Sequence, residues 1–153
     1  MSLDTGRRLR RAATAGVAAV TAVVDRSSGA STIARVSLGA MVLLAGVHKL
    51  VAPTAWTAYV TDWLAPWLVV SPLTFMLVNG VLEVGFGLAL LADRYTLFAS
   101  LVAAVSLSAT CLYLAVVFVV EGGLFGDVLV RDVGLAGLAW AVVVDAVETR
   151  SAT

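Results

Sequence analysis

Residues 95–120 (YTLFASLVAAVSLSATCLYLAVVFVV) are 26 consecutive positions without one charge. A chain of 153 residues has no interior able to cover such a helix on every side. A bilayer does, because its apolar core of about 30 Å is spanned by roughly 20 helical residues. The run therefore predicts a membrane protein. It also gives weight to every charge inside another apolar stretch, since an ion surrounded by lipid is costly and tends to be functional. The composition agrees, with 61% hydrophobic and 13% charged residues, and the length leaves no room for an appended soluble enzyme.

Three further spans are expected beside this one. The first is Ile33 to Val51, uncharged from Val36 to Val47, and the second is Leu68 to Leu91, apolar except for Glu83. The fourth is Val128 to Val147, with Arg131 and Asp132 near its start and Asp145 near its end. Each span carries a stripe of small and polar residues at steps of three and four. These are Arg35, Gly39, Val42, Gly46 and Lys49; Asn79, Glu83, Gly87 and Leu90; Ala99, Ala103, Ser106, Thr110 and Tyr113; and Arg131, Gly134, Gly137 and Ala141. Helices in lipid associate through such stripes, and a 3.5-residue spacing favours a left-handed bundle. The expected fold is all-α, an antiparallel transmembrane four-helix bundle over residues 32–148. A basic segment and linker (residues 1–31) precede it and a tail (149–153) follows.

Orientation comes from the basic residues. With the N-terminus inside, Arg7, Arg8, Arg10, Arg11, Arg26, Arg35, Arg94 and Arg150 are cytoplasmic, and only Lys49 and Arg131 lie outside. Both termini are then expected in the cytoplasm of a multi-pass cell-membrane protein. Four arginines before the apolar stretch Ala12 to Val24 resemble a signal peptide, but no A-x-A site follows and 13 residues reach only about 20 Å. A retained segment lying on the anionic inner leaflet is the favoured reading. On the outer side, Trp56, Tyr59, Val60, Trp63 and Trp67 share one helical face between Pro53 and Pro66. The first expectation is a short interfacial helix anchored by its aromatics; the other is a lid over the bundle.

Glu83 is the leading candidate for chemistry. A lone carboxylate in apolar surroundings is either protonated or paired with a cation, and Lys49 and Arg131 are the cations within reach from outside. Glu83 lies about 22 Å along the helix from Leu68, or about 16 Å if the span starts near Pro72. His48, Lys49, Asn79, Arg131 and Asp132 complete an expected ligand-binding cluster in the outer half of the bundle. The bland alternatives are an ion pair that sets helix register and a local Arg131–Asp132 pair at a helix start.

Absences narrow the choice. One histidine and one cysteine, Cys111, exclude bis-histidine haem and an iron–sulfur cluster, and no metal-ligand spacing is present. No phosphate loop, dinucleotide fingerprint or G-x-S-x-G occurs. Ten basic and ten acidic residues balance, so nucleic acid is not an expected partner. No cofactor is built in, and electrons would have to be carried by a diffusible quinone or a redox partner subunit.

The order of ARVSLGAMVLLAGVHKL, the aromatic outer segment with Tyr59 and Trp63, NGVLEVGFGLAL and VRDVGLAGL resembles the DoxX family of small four-span membrane proteins, over residues 32 to 147. The resemblance implies the fold and the membrane location. Some relatives are subunits associated with quinol oxidase and thiosulfate:quinone oxidoreductase, so it also implies a quinone-linked accessory role in a membrane oxidoreductase system. The alternatives are a non-catalytic scaffold or assembly factor and, third, a small oligomeric transporter.

Overall fold

The computed structural model describes residues 6–8, 10, 11, 14, 15 and 29–152. The chain divides into two compact units, Met1–Ile33 and Ala34–Thr153. In the first, the described residues before Gly29 have helical backbone, and Thr14 Oγ1 donates to the carbonyls of Arg10 and Arg11 at 2.9 and 3.0 Å. The expectations for Ala12–Val24 fall mostly outside the described residues.

Among the described residues all regular structure is helical. The elements are α1 (Ala30–Val51), α2 (Pro53–Thr57), a 3-10 turn (Ala65–Trp67), α3 (Pro72–Leu91), α4 (Thr96–Glu121) and α5 (Leu124–Ser151). Helix α1 begins inside the stretch expected to be linker. Helix α3 starts four residues later than Leu68, because Ser71 caps it, accepting from the Thr74 amide at 3.2 Å, and Pro72 occupies its first turn. Helices α4 and α5 are separated only by Gly122 and Gly123. Both have φ near +67° with ψ near −140°, a region essentially restricted to glycine.

Helices α1, α3 and α4 are long and apolar enough to cross a membrane. Only 22% of each apolar window is buried within the protein, and α4 exposes Leu112 and Val119 over most of their surface. Side chains of this kind turned outward in numbers need an apolar solvent, which lipid supplies. Helix α5 is longer than expected but carries six charged residues, with an uncharged stretch of only 133–144.

The four long helices share one core. Leu38 and Val42 of α1 and Leu90 of α3 meet Ala99, Ala103 and Ala104 of α4 and Ala139, Val142 and Val143 of α5. Helices α1 and α3 pack through glycine. A Cβ on Gly46 would lie 2.7 Å from the Val84 amide and 2.8 Å from the Gly80 carbonyl; one on Gly87 would lie 2.6 Å from the Leu43 amide. The two backbones touch where both side chains are absent, as small-residue packing in lipid allows. At the other end of this seam, Arg35 donates to the Leu90 and Leu91 carbonyls and pairs with Asp93 at 3.4 Å, so it caps the C-terminus of α3.

The expected stripe of the fourth span is corrected. Gly134 and Gly137 meet nothing, and Ala141 is exposed. Helix α5 buries Asp132, Ala136, Ala139 and Val143 instead, a neighbouring face that also steps by three and four. The aromatic outer segment is also not one helix. It breaks after Thr57 into turns, because the Tyr59 carbonyl and the Thr61 amide are both taken by the Tyr113 hydroxyl of α4, at 2.7 and 3.2 Å. A second small core of Leu114, Val117 and Phe125, with Tyr59 and Tyr113 against it, lies under this segment.

Candidate functional site

The close seam brings two charged residues together. Lys49 stands three positions beyond Gly46 on α1, and Glu83 lies on α3 beside the same glycine. Lys49 Nζ donates to Glu83 Oε1 in an ion pair whose side chains are 11% and 28% exposed. Had either helix carried a side chain at position 46, 80 or 87, the axes would stand further apart and this reach would lengthen. Glu83 Oε2 is buried and has no hydrogen-bond partner.

Over the pair sits Trp56. Proline 53 starts α2 right after α1 and folds the chain back, so the indole ring lies 4.5 Å from Lys49 Nζ in a cation–π contact. The ring is held from outside by His48, whose Nδ1 accepts from Trp56 Nε1 at 2.8 Å, edge to face. Tyr59 packs against the other side of Trp56, with ring centroids 6.1 Å apart.

A cavity of about 240 Å³ opens beneath. Lys49, Trp56, Asn79 and Glu83 line it from one side and Ser106, Thr110, Arg131 and Asp132 from the other, with Met41 and Phe86 among its apolar walls. That volume is below the usual range for a drug-sized ligand and suits a single substituted ring. Arg131 and Asp132 are a pair of their own: Nε and Nη2 both reach one carboxylate oxygen at 2.9 Å. Asp132 is the buried member, at 8%, while the Arg131 side chain is 57% exposed. Around the cavity each cation therefore already has its anion, and the site is polar but neutral.

Of the residues expected from the sequence, Lys49, Asn79, Glu83, Arg131 and Asp132 line this cavity. Asn79 also donates to the Phe75 carbonyl of its own helix at 2.8 Å. His48 does not line it; it is exposed and touches the site only through Trp56. Trp56 itself was expected on the aromatic face of the outer segment, as an anchor or as part of a lid, and not among the site residues. Its signal was its position eight residues after His48 with Pro53 between, a spacing that returns the chain over the end of α1. Tyr113 was counted in a packing stripe, and nothing in sequence marked it as the clasp of the outer segment. Trp63 and Trp67 of that segment stay outward, so only its first half covers the cavity. Among the described residues no group of three or more histidine, cysteine, aspartate or glutamate side chains stands ready for a metal.

No curated protein and no solved structure matches the chain significantly. The DoxX family model matches residues 30–121, from the start of α1 to the end of α4, and so covers Lys49, Trp56 and Glu83 but stops short of Arg131 and Asp132. With apolar helices exposed along most of their length and a family match over more than half of its residues, the chain is a membrane protein and belongs to the DoxX family.

Proposed function

We propose that this DoxX-family protein is an accessory subunit of a membrane oxidoreductase system and binds the ring of a quinone-class lipid in the cavity between its helices. In this reading α5 is the fourth span, the four long helices form an antiparallel bundle in the cell membrane, and both termini are cytoplasmic. Its short uncharged centre is compensated by pairing of the end charges, as Arg131 and Asp132 already do. Glu83 lies 11 residues from Pro72, about 16 Å from the outer end of α3, within reach of a lipid head that enters sideways.

One observation carries the reading: two internally completed ion pairs face one small cavity. An anion would have to break a pair to bind, whereas an uncharged ring with oxygen substituents needs only hydrogen bonds. Trp56 and Phe86 offer it aromatic surface, and Lys49 and Asn79 offer donors. Glu83, with one oxygen spoken for, is the group that would exchange a proton. The electrons would pass to a partner, since this chain holds no redox residue pair.

Titration of the purified protein in nanodiscs with a short-chain quinone tests this. Saturable binding that Ser106→Phe removes, by filling the cavity from α4, is expected. Binding that is absent, or indifferent to that substitution, would sink the assignment. The scaffold reading draws on a different observation, that Lys49–Glu83 and Arg35 both tie α1 to α3. It expects no small molecule at all and a loss of assembly when the pair is broken.

A further inference from the structure

We infer that the cavity selects its ring ligand in the hydroxyl form, a hydroquinone or phenol, over the carbonyl form. The inference rests on the ring-binding reading above and follows from which hydrogen-bonding positions remain open. The Lys49 ammonium has three N–H donors. One goes to Glu83 Oε1 and a second faces the Trp56 ring, and no further partner is present among the described residues. An ionised carboxylate only accepts, and Glu83 Oε2 accepts from nothing. Arg131 and Asp132 are already joined to each other. One ammonium donor and one buried carboxylate acceptor are therefore unfilled on the same ion pair, and Lys49 and Glu83 both line the cavity.

A hydroxyl fills both positions. Its oxygen accepts from Lys49 and its hydrogen is donated to Glu83. A carbonyl fills one, and the carboxylate oxygen keeps the cost of burial without a partner. The terminal torsion of a glutamate is a broad two-fold rotor, so either carboxylate oxygen can turn to the cavity while the other stays on Lys49. Net charge leaves no competing term, because the hydroxyl and carbonyl forms are both neutral. Substituting Glu83→Gln changes the open position rather than removing it. Lys49 then takes the amide oxygen, and the amide NH₂ stands where Oε2 stood, a donor in place of an acceptor.

Calorimetric titration of the full-length protein in nanodiscs, under anaerobic conditions, with tetramethylhydroquinone and with tetramethylquinone, decides the matter. The wild type is expected to bind the hydroquinone at least about tenfold more tightly, the scale of one hydrogen bond to a charged group. Glu83→Gln is expected to reverse the order. Equal affinities, or tighter binding of the quinone to the wild type, would overturn the inference while leaving the ring site standing, and needs no mutant to be folded. A folded Glu83→Gln that keeps the wild-type order would overturn the role of Glu83. Failure of both probes to bind would overturn the ring-binding reading itself.

Discussion

Helices α1 and α3, joined through the long outer segment 52–71, and helices α4 and α5, joined through Gly122 and Gly123 alone, both pack as neighbours and carry glycines at packing intervals, yet they use them in opposite ways. In the first pair Gly46, Gly80 and Gly87 lie against the opposing backbone, and the resulting approach lets Lys49 reach Glu83. In the second pair Gly134 and Gly137 face open space. The contact is made by Ala99, Ala103, Ala139 and Val143, with Trp140 donating to Ser108 at 3.1 Å. A stripe of small residues thus permits close packing without requiring it. On the α1–α3 stripe the close approach also joins a cation to an anion, Lys49 to Glu83.

The largest expected effect follows from that contrast. Gly46→Val places methyl groups against backbone on both sides and should destabilise the protein by about 3 kcal/mol, read as a fall in thermal midpoint in detergent. Gly134→Ala and Gly137→Ala lie at the small end, within about 1 kcal/mol of wild type and on the stabilising side, since alanine is the better helix former. If both sites responded alike, the distinction between the two pairs would be wrong.

Between these limits, Lys49→Met leaves Glu83 without its cation. About 2 kcal/mol of stability should be lost, less than for a fully buried pair because Glu83 is partly exposed. The double substitution Lys49→Met with Glu83→Gln should recover at least half of it, and a double-mutant cycle measures the coupling. Tyr113→Phe acts on the other pair. It removes the hydroxyl that holds the Tyr59 carbonyl and the Thr61 amide and should cost about 1–2 kcal/mol. Because the clasp holds residues 59 and 61 and makes no contact with the ion pair itself, protease cutting within residues 58–64 should rise while the Lys49–Glu83 coupling is unchanged. Gly122→Ala, strained by its positive φ despite open space around it, should cost about 1–2 kcal/mol.

Much of this was legible in the sequence, for a physical reason. Lipid forces uncharged runs on a helix, so the extents of α1 and α4 can be read almost directly, while the span expected from Leu68 begins at Pro72, where Ser71 supplies the cap. On α1 and α3 the polar residues spaced with the packing stripe turn inward, which brings Lys49, Asn79 and Glu83 to one cavity, where Arg131 and Asp132 of α5 join them. The failures came where sequence periodicity left two faces equivalent or where a distant group intervened. On α5 the stripe of Arg131, Gly134, Gly137 and Ala141 and that of Asp132, Ala136, Ala139 and Val143 both step by three and four. Only the partner surface decides between them, and it prefers to bury the aspartate with its attached arginine reaching out. In the outer segment the helical pattern of Trp56, Tyr59, Val60 and Trp63 was real. A tyrosine 52 and 54 residues away took the backbone groups that a continuous helix would have used.

The central claim is that the α1–α3 seam builds a ligand site and not merely a contact. Mass spectrometry of an organic extract from protein purified out of native membranes, wild type beside Ser106→Phe, tests it most directly. The account predicts a quinone-class lipid close to one per protein in the wild type and depleted in the variant. An extract with no enriched quinone in the wild type would contradict it and leave Lys49 and Glu83 as a structural pair.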